Sequence, residues 1–494
     1  MRKSKQPVII PDVEIVDAGA EGMAIAKVEG MVVFVPFVVP GDIVDLKIFK
    51  KKKSYAEGRA ISIKHYSPKR TELQCPHFGT CGGCKWQNMQ YAEQLAVKEK
   101  LVRDSLERLG HVDSSLMQPI CGSENIFYYR NKLEFTFSNH RWRSPEEMEK
   151  SQQGYEVSQE NTLPQTEKPS YNAPSMNALG FHIPGLFDKV LNIEHCALQA
   201  DPSNQIRLAV RDYAEEHQLT FHNIRTHTGF LRNLVIRNSS IGEWMVLLVV
   251  NERKDEQLFP LLDFIHQQFP QITSLQYIIN NKMNDSYGDL PVVPYYGKDH
   301  MIEQMAGYRG ADPLCFKINP KSFYQTNSVQ AQRLYSFVAD FAELKGDENV
   351  YDLYTGTGTI ALFLAGQCRK VVGIEYVEEA IADAKDNAQR NGFTNTQFFA
   401  GDMAKVLTAD FIAEHGHPDV VITDPPRAGM HEQVIRQLLA TAPRRIIYVS
   451  CNPATQARDL EMLSPRYAVG RLQPVDMFPH TQHVENVAEL LLKD

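Results

Sequence analysis

Cys451 stands in Ser450-Cys451-Asn452-Pro453, directly after the apolar run Ile446-Ile447-Tyr448-Val449. A cysteine there is most simply a small buried hydrophobe. A second apolar run, Val420-Val421-Ile422-Thr423, ends in Asp424-Pro425-Pro426-Arg427, and a third group, His480-Thr481-Gln482-His483-Val484-Glu485, precedes the apolar tail Val487 to Leu492. If these runs are neighbouring strands, thiol, carboxylate and base share one edge of a sheet. A thiolate that adds to C6 of a pyrimidine makes C5 enolate-like and able to accept a methyl group, a reaction closed to the unactivated ring. A base must then remove the C5 proton, and Glu485 is the first choice, with His480 and His483 as alternatives.

The elements that would position such a site follow from hydrophobic periodicity after about Ala311. Strand-like runs at Asn349 to Leu353, Val371 to Glu375, Val420 to Thr423 and Ile446 to Val449 alternate with helical stretches. That pattern predicts a doubly wound α/β fold, a parallel sheet covered on both faces with its ligand at the carboxyl ends of the strands. The first strand leads into Asp352-Leu353-Tyr354-Thr355-Gly356-Thr357-Gly358-Thr359, whose small residues let a ligand approach the backbone. The next ends in Glu375, placed to accept from both hydroxyls of a ribose, so an adenosine-type ligand is expected. A dehydrogenase would share that acid. The acidic-Pro-Pro turn at Asp424 instead resembles class I methyltransferases that bind S-adenosylmethionine.

Cys75, Cys81 and Cys84 form C-x5-C-x2-C, with Cys196 much later. Four thiolates in a three-plus-one spacing can hold zinc or a [4Fe–4S] cluster. Cys121, Cys315 and Cys368 have no such pattern and read as packing residues.

Overall the chain has 494 residues, a net charge of −8 and 43% hydrophobic residues, which predicts two or three folded domains and excludes a disulfide-stapled miniprotein. The longest apolar run, Trp244 to Val250, is too short to cross a bilayer, and the N-terminus lacks a signal-peptide pattern, so a cytoplasmic protein is expected. Acidic overall, the chain is basic at its start: Lys47 to Arg70 holds nine Lys or Arg and one Glu. Runs at Val13 to Val16, Met31 to Val35, Ile43 to Ile48 and Ala60 to Ile63, separated by Gly and Pro, predict a barrel of about five strands. Its lysines can track RNA phosphates or simply protect a sheet edge. Tyr128-Tyr129-Arg130-Asn131-Lys132 suits stacking on unpaired bases, or is an ordinary strand with a polar edge. A helix over Tyr91 to Leu109, a polar insertion over 144–178, and an antiparallel α+β region from Gly180 to about Gly310 complete the expected plan.

With these residues in hand, the chain resembles the RNA uracil-C5 methyltransferases, the family that includes iron–sulfur enzymes acting on 23S ribosomal RNA and the related transfer-RNA enzyme. The start resembles a TRAM domain, an OB-like RNA-binding barrel, in its Gly19-x-x-Gly22 and Val38-Val39-Pro40-Gly41-Asp42 turns. The resemblance implies Cys451 as nucleophile and Glu485 as base. Through Phe323-Tyr324-Gln325-Thr326-Asn327 it implies Gln325 on the cofactor and Phe323 near the base, with Tyr354, Thr359, Glu375, Asp402 and Asp424 lining the S-adenosylmethionine pocket. It favours a [4Fe–4S] cluster on Cys75, Cys81, Cys84 and Cys196 over zinc, and RNA as partner: 23S ribosomal RNA first, transfer RNA as the alternative. The target uridine would leave its stack to reach Cys451. The implied domains are a barrel over 5–64, a central iron–sulfur unit over 65–310 and a catalytic unit over 311–494. An amino-methylating enzyme and an inert iron–sulfur RNA-binding protein are the competing readings, and no pattern fixes the oligomeric state.

Overall fold

A computed structural model describes residues 8–149 and 175–494. Five strands close into a barrel in the order β1-β2-β3-β5-β4: β1 (Val8–Ala18), β2 (Ala24–Val28), β3 (Met31–Val35), β4 (Ile43–Lys51) and β5 (Tyr55–His65). Alternation places Ile15, Ala26, Val33, Val35, Val44 and Leu46 inside. Asp42, fully buried in the turn before β4, accepts both nitrogens of the Arg70 fork at 2.8 and 2.6 Å, which ties the barrel to the segment that follows it.

The central sheet has the order β12-β11-β10-β9-β6-β7-β8, with β6 (Lys132–Ser138), β7 (Ala178–Ile183), β8 (Leu186–Asn192), β9 (Leu231–Asn238), β10 (Trp244–Val250), β11 (Ile272–Ile279) and β12 (Val293–Gly297). It departs from the expected antiparallel pattern at one pair. The helix Asp255–Gln268 returns the chain over one face, so β10 and β11 run parallel. Most of the expected polar insertion, residues 150–174, lies outside the described residues.

A hairpin of β13 (Met301–Met305) and β14 (Leu314–Ile318) precedes the last sheet and packs into the catalytic core through Met301, Phe316 and Ile318. That sheet holds β15 (Asn349–Leu353), β16 (Lys370–Glu375), β17 (Thr396–Ala400), β18 (Val420–Thr423), β19 (Arg445–Ser450), β20 (Tyr467–Val475) and β21 (Glu485–Leu492), in the order β17-β16-β15-β18-β19-β21-β20. The first five pair in parallel, and β21 is antiparallel to both its neighbours. Successive side chains fill opposite faces: Val350, Val371 and Ile447 enter one core, while Tyr351, Val372 and Tyr448 enter the other. Both faces are therefore covered, as the near-continuous apolar runs require.

The helix Tyr91–Leu109 joins this unit although it follows the barrel directly. Val102 and Leu106 pack with Ala457 and Leu460 of the helix Pro453–Leu463. Leu109, in line with Val102 and Leu106 by helical periodicity, is exposed, whereas Gln94 and Lys98 are buried. The reason is a polar contact. Lys98 Nζ donates to Asp476 Oδ1 at 2.6 Å and to the Phe478 carbonyl at 3.0 Å, and Tyr91 donates to Asp476 Oδ2 at 2.8 Å. No described helix is long and apolar enough to cross a membrane.

Removing one partner of a buried ion pair strands the other, so Lys98→Met is expected to destabilise the fold by ~3–5 kcal/mol. Lys100→Met, whose pairs with Asp17 and Asp104 are exposed, should change stability by less than ~1 kcal/mol. Calorimetric unfolding of the two variants checks the contrast.

Candidate active site

At the carboxyl end of β15 the chain turns sharply, with Tyr354, Gly356 and Gly358 at φ of 63°, 54° and 80°. Asp352, buried beneath the turn, accepts from Thr355 Oγ1 at 2.6 Å and from the Ala361 N–H at 3.1 Å, which fixes the loop against the helix Thr359–Ala365. A Cβ built on Gly356 meets no atom within 4 Å, so that backbone faces open space. Glu375 closes the loop's far side: its carboxylate accepts from Gly356 N–H at 3.1 Å and Val377 N–H at 3.0 Å. Asp402 caps the next short helix through Ala404 N–H at 3.0 Å. Together with Tyr354, Pro426 and His431 it lines a cleft of ≈ 350 Å³. Tyr376, 74% exposed at the same mouth, carried no readable signal in the sequence.

Thr359 Oγ1 lies 3.2 Å from the Tyr335 hydroxyl. Gln325 is held by its backbone, its carbonyl accepting from Asn131 Nδ2 at 2.9 Å. Phe323, two residues earlier, is 70% exposed.

Cys451 follows the last residue of β19, and Ser450 pairs with Asn486 of β21. Cys451 lies one residue beyond this pair and Glu485 one residue before it, so the two flank the same end of the β19–β21 ladder, where the Glu485 charge acts on the thiol. Burial pushes the Cys451 thiol up to about 11, reinforced by the charges of Glu485 and Asp424 and opposed by Arg427. Burial likewise holds Glu485 up at about 8, with Asp424 adding to the effect and Arg427 opposing it. Asp424 is raised to about 7 by burial and by Asp352. Asn452 Nδ2 and Thr455 Oγ1 both donate to the Arg427 carbonyl, at 3.0 and 3.2 Å, and lock the thiol's turn to the acidic-Pro-Pro turn. Arg427, the cation common to the fields of Cys451, Glu485 and His483, was not singled out from sequence.

The two histidines differ from Glu485 in surroundings. His480 is buried against Phe127, with Nδ1 3.2 Å from Gln94 Nε2, and its carbonyl accepts from Lys85 and Trp86 N–H at 2.8 and 3.1 Å. His483 lies near the cations Arg427, Lys98 and Arg130. Burial lowers both to about 4, so both are neutral at pH 7. The same His480 contacts bring the cysteine segment to the catalytic loop.

Cys75, Cys81, Cys84 and Cys196 line one cavity of ≈ 330 Å³ together with Arg130 and His195. Burial and mutual proximity push Cys81 up to about 11 and Cys84 up to about 12. Gly83 N–H donates to Cys81 Sγ at 3.4 Å. Among the described residues no three His, Cys, Asp or Glu side chains converge closely enough for a single metal ion. Arg130 stacks over Phe478 at 5.5 Å and so bridges this cavity and the catalytic loop, while Tyr128, at φ 55°, is half exposed beside His195.

Comparison with known proteins agrees with this geometry. The family described as tRNA (Uracil-5-)-methyltransferase matches residues 298–493, and the TRAM domain matches 4–61. An uncharacterized RNA methyltransferase of Bacteroides thetaiotaomicron is 55% identical over 96% of this chain and 100% of its own, and one of Porphyromonas gingivalis is 52% identical over 97% and 99%. The crystal structure of Pyrococcus abyssi tRNA (uracil-54, C5)-methyltransferase in complex with S-adenosyl-L-homocysteine superposes with a TM-score of 0.71 at 26% identity, covering 97% of this chain and 100% of that one. With relatives aligned end to end and the catalytic sheet within the matched region, the chain belongs to the RNA uracil-5-methyltransferases, S-adenosylmethionine-dependent enzymes, and carries an N-terminal TRAM domain.

Proposed function

We propose that the enzyme methylates C5 of a uridine in 23S ribosomal RNA through a transient bond between Cys451 Sγ and C6 of the base. The observation that carries this reading is that Cys451 and Glu485 flank the same end of the β19–β21 ladder, beside Asp424. The open backbone at Gly356 and the Glu375 and Asp424 carboxylates suit a nucleoside bearing a sulfonium. S-adenosylmethionine supplies the electrophilic methyl group. Tyr354, Thr359, Glu375, Asp402, Asp424 and Gln325 hold it, and Phe323 meets the target base.

Cys451 must first lose its proton to water, which the Arg427 charge favours. Its thiolate bonds to C6, and the C5=C6 electron pair moves onto C5 and the O4 enolate. C5 takes the methyl group as the sulfonium carbon–sulfur bond breaks to a neutral thioether. Glu485 removes the C5 proton, the C5=C6 bond re-forms, and the Cys451 thiolate leaves.

The four cysteines hold a [4Fe–4S] cluster in this reading. Four thiols lining one cavity are the donor set that a [4Fe–4S] cluster uses, and zinc is the alternative for the same donors. Methyl transfer to an activated uracil needs no electron, so the cluster is structural: it ties the segment after the barrel to the central sheet and supports RNA binding. A reducing cytoplasm suits unpaired thiols. The working division is a barrel over 5–64, a central unit over 65–310 and a catalytic unit over 311–494, with the hairpin β13–β14 packed on the last. The P. abyssi superposition favours a second reading with transfer RNA as substrate; mass mapping of 5-methyluridine in RNA from cells with and without the gene decides between them.

RNA carrying 5-fluorouridine has no C5 proton to lose and is expected to form a stable adduct with the enzyme that disappears in Cys451→Ala; full turnover by that variant refutes the mechanism. Glu485→Gln should lower turnover by ~10²–10⁴-fold while methylated RNA accumulates covalently bound, as seen on denaturing gels. Because Glu485 sits near 8, its proton-accepting form grows as pH rises through that value, so the wild-type rate of C5 deprotonation should climb from pH 7 to above 8 and lose this dependence in Glu485→Gln. Cys81→Ser is expected to purify with depleted iron and sulfide and weakened RNA affinity, and an iron-free protein that folds and binds RNA normally contradicts the cluster's role.

A further inference from the structure

The turn over residues 319–327 carries Phe323 and Gln325 between β14 and the helix Ser328–Ala342, and no strand or helix fixes it. Its backbone is held by a side chain from a different sheet. Arg237, in β9 of the central unit, is 2% exposed. Its Nη1 donates to the carbonyls of Asn319 and Pro320 at 3.0 and 3.3 Å, and Nη2 donates to that of Ser322 at 2.9 Å.

No carboxylate lies within ion-pair distance of this guanidinium among the described residues. Lys132 stands directly across from it in the β6–β9 pairing, and burial lowers the pKa of both. A buried cation without a counter-ion is costly, and the return is three charge-assisted hydrogen bonds in the planar fork that only arginine offers. The turn is also held from other sides. Asp383 accepts from Asn319 Nδ2 at 2.6 Å and Ser322 Oγ at 2.5 Å. Asn131 donates to the Gln325 carbonyl from its side chain and to the Thr326 carbonyl from its N–H, at 2.9 and 2.8 Å. Between these anchors the Phe323 ring is exposed and has no aromatic or cationic partner among the described residues.

We propose that Arg237 is a positioning residue for methyl transfer: by holding three carbonyls of the turn it presents Phe323 to the extruded base and Gln325 to the cofactor. This inference rests on the roles given to those two residues above. It also makes the central unit, whose strand β6 follows the Tyr128 to Asn131 segment, a structural part of the target-base site.

Full-length Arg237→Lys is compared with Val235→Ala, a buried change on the same strand whose apolar cluster includes no residue of the turn. The readouts are thermal midpoint, affinity for an unmodified RNA hairpin, KM for S-adenosylmethionine and the single-turnover rate of adduct formation on the 5-fluorouridine hairpin, each per folded molecule. A small displacement of reacting groups can cost ~10²-fold. Arg237→Lys is expected to slow adduct formation by ~10–100-fold and raise that KM with RNA affinity unchanged, and to add little in a Phe323→Ala background, because both act through one group. Val235→Ala is expected to lower the midpoint alone. A wild-type adduct rate in Arg237→Lys, or a loss that persists undiminished without Phe323, overturns the inference while Phe323→Ala remains defective. If Phe323→Ala and Gln325→Ala are both without effect, the reading of the turn itself falls, and the role of Arg237 with it.

Discussion

The antiparallel pairing of β21 with β19 is the constraint on which the site depends. β18, the other neighbour of β19, runs parallel to it, and a second parallel neighbour would bring another strand end to the thiol. The reversed last strand instead brings a strand beginning, so Glu485, 133 positions from Asp352 and 34 from Cys451 in the chain, reaches the same edge. Side chains at the same end of such a pair are close without any loop holding them there. The register is pinned further by Gln456, which donates to the carbonyls of Tyr448 and Asn486 and accepts from Asn486 Nδ2.

That arrangement gathers Asp352, Asp424 and Glu485 in a space with Arg427 as the cation common to the thiol and Glu485. The raised pKa values of all three acids express the same physics: burial disfavours each charge and the neighbours compound it. A positive charge brought among these acids would relieve the repulsion. The acids near 7 and 8 sit where a carboxyl can both hold and accept protons at neutral pH.

Around this edge polar contacts tie together segments that are distant in the chain. Asp42 and Arg70 anchor the barrel, Gln94 and Lys98 bury themselves against the loop before β21, and the His480 carbonyl receives the chain just after Cys84. Directional bonds of this kind fix orientation, which a surface that must fit folded RNA requires.

The periodicity of the catalytic strands, the glycine-bearing turn after Asp352, the acidic-Pro-Pro turn and the Cys451 motif were all legible in sequence, because each is a local pattern with a local physical cause. The five-strand barrel was legible for the same reason, apart from β2. What local patterns could not show was pairing between distant segments: the parallel β10–β11 pair, the burial of Gln94 and Lys98 in place of Leu109, the hairpin β13–β14 lying on the catalytic core, and the reach of Arg237 from one sheet into another unit's turn. Residue types and spacing thus determined which chemistry the chain carries. Tertiary structure alone decided which groups face each other, since opposition across strands and burial of charge depend on partners far away in the chain.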